Sequence, residues 1–307
     1  GLEDTWDGRI TIELETQAAP SIDAQLRIKD GRFASAAIDV GFPSPGIPVF
    51  SGVFLNSLEA SLELDPRLRF CGGLGLTVGG GALTVARLDA SIEFSEEPLP
   101  YDPPPPELCE LTPPGEVPDD WEPEYLRFLI QGVAELFPGN PLNIDITGQA
   151  YLELQTRGYL GAGAQFNVEF IENTLGVSGF AEGSLFNANR VPATNPKTGQ
   201  PLTGAVVQLK GGVSAQLLGA DVAQAAFVVN TVGAAACAGI NFGFLGEARV
   251  GAGIYWSGGQ RLTCDLGRYL IVVPGTIGFN QSQLAEAEPQ PVISGFRSVE
   301  RAAAPVP

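Results

Sequence analysis

Hydrophobic and polar residues alternate with a period of two along most of the chain. Residues 22–28 read IDAQLRI, residues 58–64 read LEASLEL, and residues 160–170 place an apolar side chain at every second position. Successive side chains of a β-strand point to opposite faces, so the pattern predicts strands with one apolar and one polar face. We expect the apolar faces to be buried and the polar faces to be wetted.

A proline-rich segment divides these strands into two groups. We predict an all-β protein of two antiparallel β-sandwich or curved-sheet units, with at most one short helix. The N-terminal unit is 1–97, an acidic connector stapled by Cys109 is 98–122, the C-terminal unit is 123–275, and an extended tail is 276–307. Proline removes backbone donors and fixes φ, which favours an extended connector.

Residues 123–137 fit both a helix and a strand. Asp119 or Asp120 could cap a helix that has Pro123 in its first turn, with apolar positions 126, 129, 130 and 133 on one face. A strand would instead place positions 126, 128 and 130 on one side, with Gly132 as an interruption. The pattern fits the helix marginally better, and the strand stays open.

The longest uncharged stretch lies between residues 222 and 246 and is rich in glycine and alanine. About 20 apolar residues suffice for a membrane helix, but Gln224, Asn230, Asn241 and several glycines divide this stretch into strand-length pieces. We therefore predict an antiparallel hairpin and no transmembrane helix. Small residues there allow close approach of neighbouring layers. The polar residues 187–201 are predicted to form a mobile loop.

The four cysteines predict two disulfides. None forms a CxxC pair; Cys71 and Cys109 lie 38 positions apart, and Cys237 and Cys264 lie 27 apart. Locality within each half of the chain favours these two pairs, although four cysteines permit three connectivities. Disulfides are typical of oxidising compartments, so we expect a secreted or cell-surface protein. The chain contains no methionine, as expected of a processed chain or a fragment.

Composition narrows the possible partners. The formal net charge is −18, and only three lysines are present. Such a surface repels phosphate backbones and anionic membrane surfaces, so we expect no nucleic-acid partner. Charged residues make up only 17% against 44% hydrophobic residues, and glycine and proline are frequent, which is typical of many short strands.

The residue types exclude several kinds of catalysis. The chain has no histidine, so neither Ser-His-Asp and Cys-His catalysis nor histidine-ligated metals are possible. No nucleotide-binding glycine loop is present, and we expect no cofactor, no metal site and no catalytic residue. The carboxylate pairs Glu96 with Glu97 and Asp119 with Asp120 are expected to be solvated. Aromatic residues that could line a sugar-binding face, but more often pack in a core, are Trp6, Trp121, Trp256, Tyr151, Tyr159, Tyr255 and Tyr269.

Two segments, residues 50–80 and 229–269, resemble stretches of large uncharacterised secreted β-rich proteins of high-GC bacteria. Strands, glycines and paired cysteines carry this resemblance. It implies an exported β-rich protein and brings no catalytic or ligand residues.

These features together predict a non-enzymatic extracellular structural or surface module. We expect it to assemble as a homo-oligomer, or with other surface proteins, by strand addition at residues 10–14 or at the tail after Val273. The alternative is a binding protein that encloses a lipid-like apolar ligand between curved sheets; the identity of any small-molecule ligand is unknown. A carboxylate-dependent glycoside hydrolase ranks third.

Overall fold

The computed structural model describes residues 5–12, 20–65, 67–80, 83–97, 122–138, 144–171, 174–218, 220–241, 247–274 and 276. In this part of the chain the regular elements are β-strands and one short 3₁₀ helix, Leu266–Tyr269. Neighbouring strands are antiparallel, which confirms the predicted all-β antiparallel class. By its internal contacts the chain forms two compact units, 1–138 with 154–156 and 139–153 with 157–307.

The first unit is an antiparallel sheet in which strands follow one another nearly in chain order. The order is β1-β2-β3-β5-β6-β7-β8, and β4 pairs with β5 off this path. Its strands are β1 (Thr5–Ile12), β2 (Ser21–Lys29), β3 (Arg32–Gly41), β4 (Ile47–Phe50), β5 (Val53–Glu63), β6 (Arg69–Gly80), β7 (Leu83–Glu97) and β8 (Tyr125–Leu136). The hairpin between β2 and β3 turns at Asp30 and Gly31, both with positive φ, as the Asp-Gly pair in the sequence indicates.

The second unit is also a sheet in which each strand pairs with the next in the chain. Its strands are β9 (Asp145–Gln155), β10 (Tyr159–Ile171), β11 (Leu175–Asn187), β12 (Ala205–Leu217), β13 (Ala220–Asn230), β14 (Gly233–Asn241), β15 (Glu247–Tyr255) and β16 (Gln260–Leu262). The last two residues of β9 and Thr156 belong to the first unit by contacts.

The segment for which a helix was favoured is strand β8. It pairs with β7 along its length, with Ile130 opposite Ile92 and Phe128 opposite Phe94. The strand puts these apolar side chains on one face and turns Arg127 to the other, where it meets two glutamates. A helix would have separated these contacts. The choice of strand over helix depends on the pairing with β7, so local periodicity could not predict it.

The boundary between the two compact units lies after β8, later in the chain than the proline-rich connector at which we expected it. Strand β8 belongs to the first unit, whereas the sequence assigned residues 123–137 to the C-terminal unit. Residues 98–121, with Cys109, and residues 277–307 lie outside the described residues.

The burial of the two sheet faces is the opposite of our expectation: the apolar face is exposed and the polar face is covered. In the first unit Ile92 is 40% exposed, while the next residue, Glu93, is 3% exposed. In the second unit Leu209 is 46% exposed, while its neighbour Gln208 is 7% exposed. Alternation correctly predicts two faces of different polarity. It does not determine which face is covered. Here polar side chains on the covered face bind one another and the backbone, and in the second unit they lie beside a hydrophobic core that includes Val206 and Tyr269.

A C-terminal strap, residues 263–274, lies against the polar face of the second unit. The side-chain amide of Gln208 donates to the Ile271 carbonyl at 2.9 Å and accepts from the Ile271 N–H at 2.8 Å. Arg157 donates to the Pro274 carbonyl at 2.7 Å, and Asn230 donates to the Tyr269 carbonyl. The sheet therefore holds the strap by its backbone.

The glycine-rich stretch 233–267 forms the hairpin β14–β15 and the start of the strap. A Cβ on Gly251 would lie 2.8 Å from Cys264 Sγ, and one on Gly253 would lie 2.6 Å from Tyr269 Cε2. Real side-chain carbons do not approach this closely, so these glycines are needed where the strap lies on β15. The predicted role of small residues in close packing agrees with this geometry.

The polar segment 187–201 is packed and not a free loop. Val191 is fully buried, and it joins a core with Phe186, Val206 and Tyr269. Lys197 reaches the β15–β16 turn, where its ammonium donates to Ser257 Oγ and the Gly258 carbonyl, both at 2.9 Å. The amino-acid types predicted a loop correctly, but the contacts that hold it come from distant strands.

Candidate functional site

The polar face of the first unit contains a buried network of charged side chains. Arg127 Nη2 lies 2.9 Å from Glu93 Oε1 and 2.9 Å from Glu97 Oε1. Arg69 Nη2 lies 3.1 Å from Glu93 Oε2 and its Nη1 3.8 Å from Glu63 Oε2, while Arg67 Nη1 lies 3.2 Å from Glu97 Oε2. All six side chains are at most 5% exposed.

The strand register explains why these side chains meet. Positions 93, 95 and 97 point to one face of β7, and β6 and β8 bring arginines to the same face on either side. Ser95 lies between the carboxylates and donates to Glu97 at 2.8 Å and is 3.2 Å from Glu93. Three arginines and three glutamates balance in charge, which lowers the cost of burying each of them.

The opposite face of the same sheet is apolar and exposed. Phe70 of β6 lies opposite Phe94 of β7, which lies opposite Phe128 of β8. Leu74, Ala90 and Gly132 form the third such row across the same strands. Large exposed patches of this kind mark surfaces that something else covers. The exposed large side chains on the outward positions of β5 to β8 are Leu58, Leu62, Phe70, Leu74, Leu88, Ile92, Ile130 and Leu136.

The second unit has an exposed apolar face as well. On β12 the outward positions Val207, Leu209, Val213 and Leu217 are exposed, whereas Gln208 and Ser214 between them are buried. On the polar face Lys210 Nζ lies 3.1 Å from Glu182 Oε1, and Ser178 and Ser214 hydroxyls lie 3.0 Å apart. Both units thus show the same arrangement of exposed apolar and buried polar positions.

The chain has no match among protein-family models, curated proteins or solved structures. Within the described ranges, no helix has the length and apolarity needed to cross a membrane. In the same residues no group of three or more acidic or cysteine side chains is arranged to hold a metal ion.

The cysteines are disulfide-bonded as far as the structure describes them. Cys237 and Cys264 form the predicted pair, with Cα atoms 5.0 Å apart. Cys71 is also disulfide-bonded, and its predicted partner Cys109 lies outside the described residues. No described cysteine is free.

The carboxylate and aromatic candidates are not brought together as a site. Glu96 and Glu97 are consecutive in β7 and so point to opposite faces; Glu97 is buried in the network, against our expectation of a solvated pair. Asp119, Asp120 and Trp121 lie outside the described residues. The four tyrosines are buried on polar sheet faces or in the strap, whereas Trp6 and Trp256 are more than half exposed.

Sequence reasoning missed the charged network. Its signal is present as acidic residues on the polar positions of β7 and arginines on those of its neighbours. Recognising it required the β7–β8 pairing, because Arg127 and Glu93 are 34 positions apart. We expected charged side chains to face water, and so the glutamates of β7 and the arginines of its neighbours were interpreted as solvated.

Proposed function

We propose that this protein is a non-enzymatic structural protein of a cell surface and that lipid acyl chains cover its apolar sheet faces. One observation carries the proposal. In each unit consecutive strands carry a run of exposed apolar positions, while charged and amide side chains next to them, such as Glu93 and Gln208, are buried. In water this arrangement would expose the apolar area and hide the polar area, which is unfavourable in both respects.

Contact with lipid acyl chains removes the exposure of apolar area to water, because acyl chains are as apolar as the exposed side chains. Strands in contact with lipid alternate between apolar lipid-facing residues and polar residues on the other side. The formal charge of −18 does not oppose such contact, since the outward positions within 70–78, 86–94 and 128–136 of the first unit and within 160–170, 175–185 and 207–217 of the second are uncharged. The disulfides support an oxidising, extracytoplasmic location.

The lipid proposal gives a physical reason for strand addition. Strand β1 stands at the end of the strand order and pairs with β2 on its inner side. In hydrocarbon, each backbone polar group without a partner costs several kcal/mol. We therefore propose that a strand of another copy completes the outer edge of β1. Sedimentation in detergent that shows a monomer at every protein concentration would contradict this assembly and leave the lipid proposal intact.

The experiment compares two adjacent positions on β8 that face opposite sides. Ile130 is 41% exposed on the apolar face, and Gln131 is on the polar face. The variants Ile130→Cys and Gln131→Cys are labelled with a thiol-reactive fluorophore and reconstituted into phosphatidylcholine vesicles that carry nitroxide-labelled acyl chains. Thiol titration of the unaltered protein first confirms that its own cysteines do not react.

We expect the nitroxide lipid to quench the label at position 130 and to spare the label at position 131. A water-soluble quencher should not reach position 130. Equal quenching at both positions, or none at either, refutes a lipid-covered face.

An enclosed lipid-like ligand is the alternative from a different class. It predicts a stoichiometric lipid in native mass spectrometry and protection of the label at position 130 without vesicles.

The prediction of a non-enzyme is checked on a panel of polysaccharides. Activity that Glu96→Gln or Glu97→Gln abolishes would favour the glycoside hydrolase instead.

A further inference from the structure

The apolar face of the first unit has two distinct borders, and we infer that they mark the two interfaces of a lipid bilayer. The phenylalanine row, Phe70, Phe94 and Phe128, lies at one interface, and the bilayer centre lies at the level of Ala90. This inference rests on the proposed function and extends it, because lipid contact alone does not specify a depth for any residue.

The phenylalanine row ends the apolar face on one side. The three rings stand at directly paired positions on adjacent strands, and Leu62 of β5 continues the row opposite Phe70. The next outward position on β7 is Glu96, whose carboxylate accepts the Leu68 N–H at 3.1 Å. A carboxylate immediately beyond a row of aromatic rings is typical of a boundary between hydrocarbon and headgroups.

The opposite border lies at the other end of the same strands. Strand β8 ends at Leu136, and the next residue, Phe137, has a positive φ of 56° and is 44% exposed. Its N–H donates to the Val85 carbonyl at 2.7 Å, which holds the chain at the end of β7. Thr84 of β7 lies opposite Gly79 beyond the last apolar pair on that side.

The distance between the borders matches a bilayer. Nine residues run from Phe70 to Val78, from Ala86 to Phe94 and from Phe128 to Leu136. A strand that crosses the hydrocarbon at a tilt of about 45° needs about 9–11 residues. On all three strands the outward positions within these limits are uncharged. A protein partner would not require a band of this constant width.

The second unit, considered alone, has a band of similar size. Its outward apolar positions run over eleven residues on each of three strands, namely Leu160–Phe170, Leu175–Leu185 and Val207–Leu217. Trp256 is 56% exposed, and its indole N–H donates to the Asn230 carbonyl at 2.7 Å. Such amphipathic rings concentrate at membrane interfaces. The same register argument therefore holds independently in this unit.

The test measures the depth of three outward positions in the first unit. The variants Phe128→Cys, Ala90→Cys and Leu136→Cys are labelled with the same fluorophore in the full chain. Each is reconstituted into phosphatidylcholine vesicles that carry a nitroxide either near the headgroup or near the end of the acyl chain. Gln131→Cys on the polar face is the control, and circular dichroism confirms that each variant is folded.

We expect the label at position 90 to be quenched more strongly by the deep nitroxide than by the shallow one. The labels at positions 128 and 136 should show the reverse order. A depth that changes steadily from 128 to 136, or equal depth at all three positions, overturns the register while lipid contact stands. Absence of quenching at all three positions overturns the proposed function itself.

Discussion

Removing one arginine from the buried network should destabilise the first unit far more than removing an exposed arginine. The substitution Arg127→Met keeps most of the side-chain volume and deletes the charge that contacts Glu93 and Glu97, both at 2.9 Å. Three buried carboxylates would then face two arginines. Breaking a buried ion pair in this way costs about 3–5 kcal/mol, because a buried charge is left uncompensated.

The matched control is Arg87→Met. Arg87 also lies on β7 and pairs with Glu135, but its side chain is 55% exposed and the distance is 3.9 Å. An exposed pair of this kind contributes about 0–1 kcal/mol. The difference between the two substitutions therefore reports burial and not the loss of an arginine as such.

The assay is urea unfolding in the detergent or lipid in which the protein is purified, followed by tryptophan fluorescence and circular dichroism. With a denaturant slope of about 3 kcal/mol per molar, Arg127→Met should lower the midpoint by about 1–2 M. Adding Glu97→Gln to Arg127→Met restores the charge balance and should recover part of the loss. Equal midpoints for Arg127→Met and Arg87→Met would refute the reasoning.

Three further outcomes are expected from the same unfolding assay. Gly253→Ala should cost about 1–3 kcal/mol because the strap leaves no room for a Cβ, whereas Gly183→Ala, with nearest atoms at 3.7 Å, should be close to neutral; equal effects would argue against the close packing. Ala90→Arg should cost about 2–4 kcal/mol in lipid and Leu136→Arg about 0–1 kcal/mol, so equal costs would count against the bilayer register. Cys264→Ser should cost about 3–4 kcal/mol, as expected for a loop closed over 27 positions, and an unchanged midpoint would show that the disulfide does not hold the strap.

Local chemistry was sufficient for the strand pattern and for one disulfide. The turn at Asp30 and Gly31 and the alternation on β10 and β12 appear in the structure as the amino-acid types indicate. Cys237 and Cys264 were paired correctly because they lie close in the chain, and strands paired in chain order bring such residues together. Cys237 of β14 lies opposite Gly251 of β15, and Cys264 of the strap lies against Gly251.

Predicting β8 as a strand, and predicting the charged network, required information from strands distant in the sequence. Residues 126–133 carry a pattern that satisfies both a helix and a strand, and pairing with β7 selects the strand. The same pairing buries Arg127 beside Glu93. No local rule distinguishes a charged side chain that faces water from one that faces an opposite charge.

The sequence by itself was sufficient for the all-β class with two faces on each strand, because a period of two over most of the chain fits strands and does not fit helices. Only the tertiary structure decided which face is covered. Alternation is symmetric with respect to inside and outside, and the direction depends on whether polar side chains find partners across neighbouring strands. Here they do, as Arg69 with Glu93 and Gln208 with Ile271 show, and the apolar side chains that alternate with them, such as Ile92 and Leu209, are left on the exposed face.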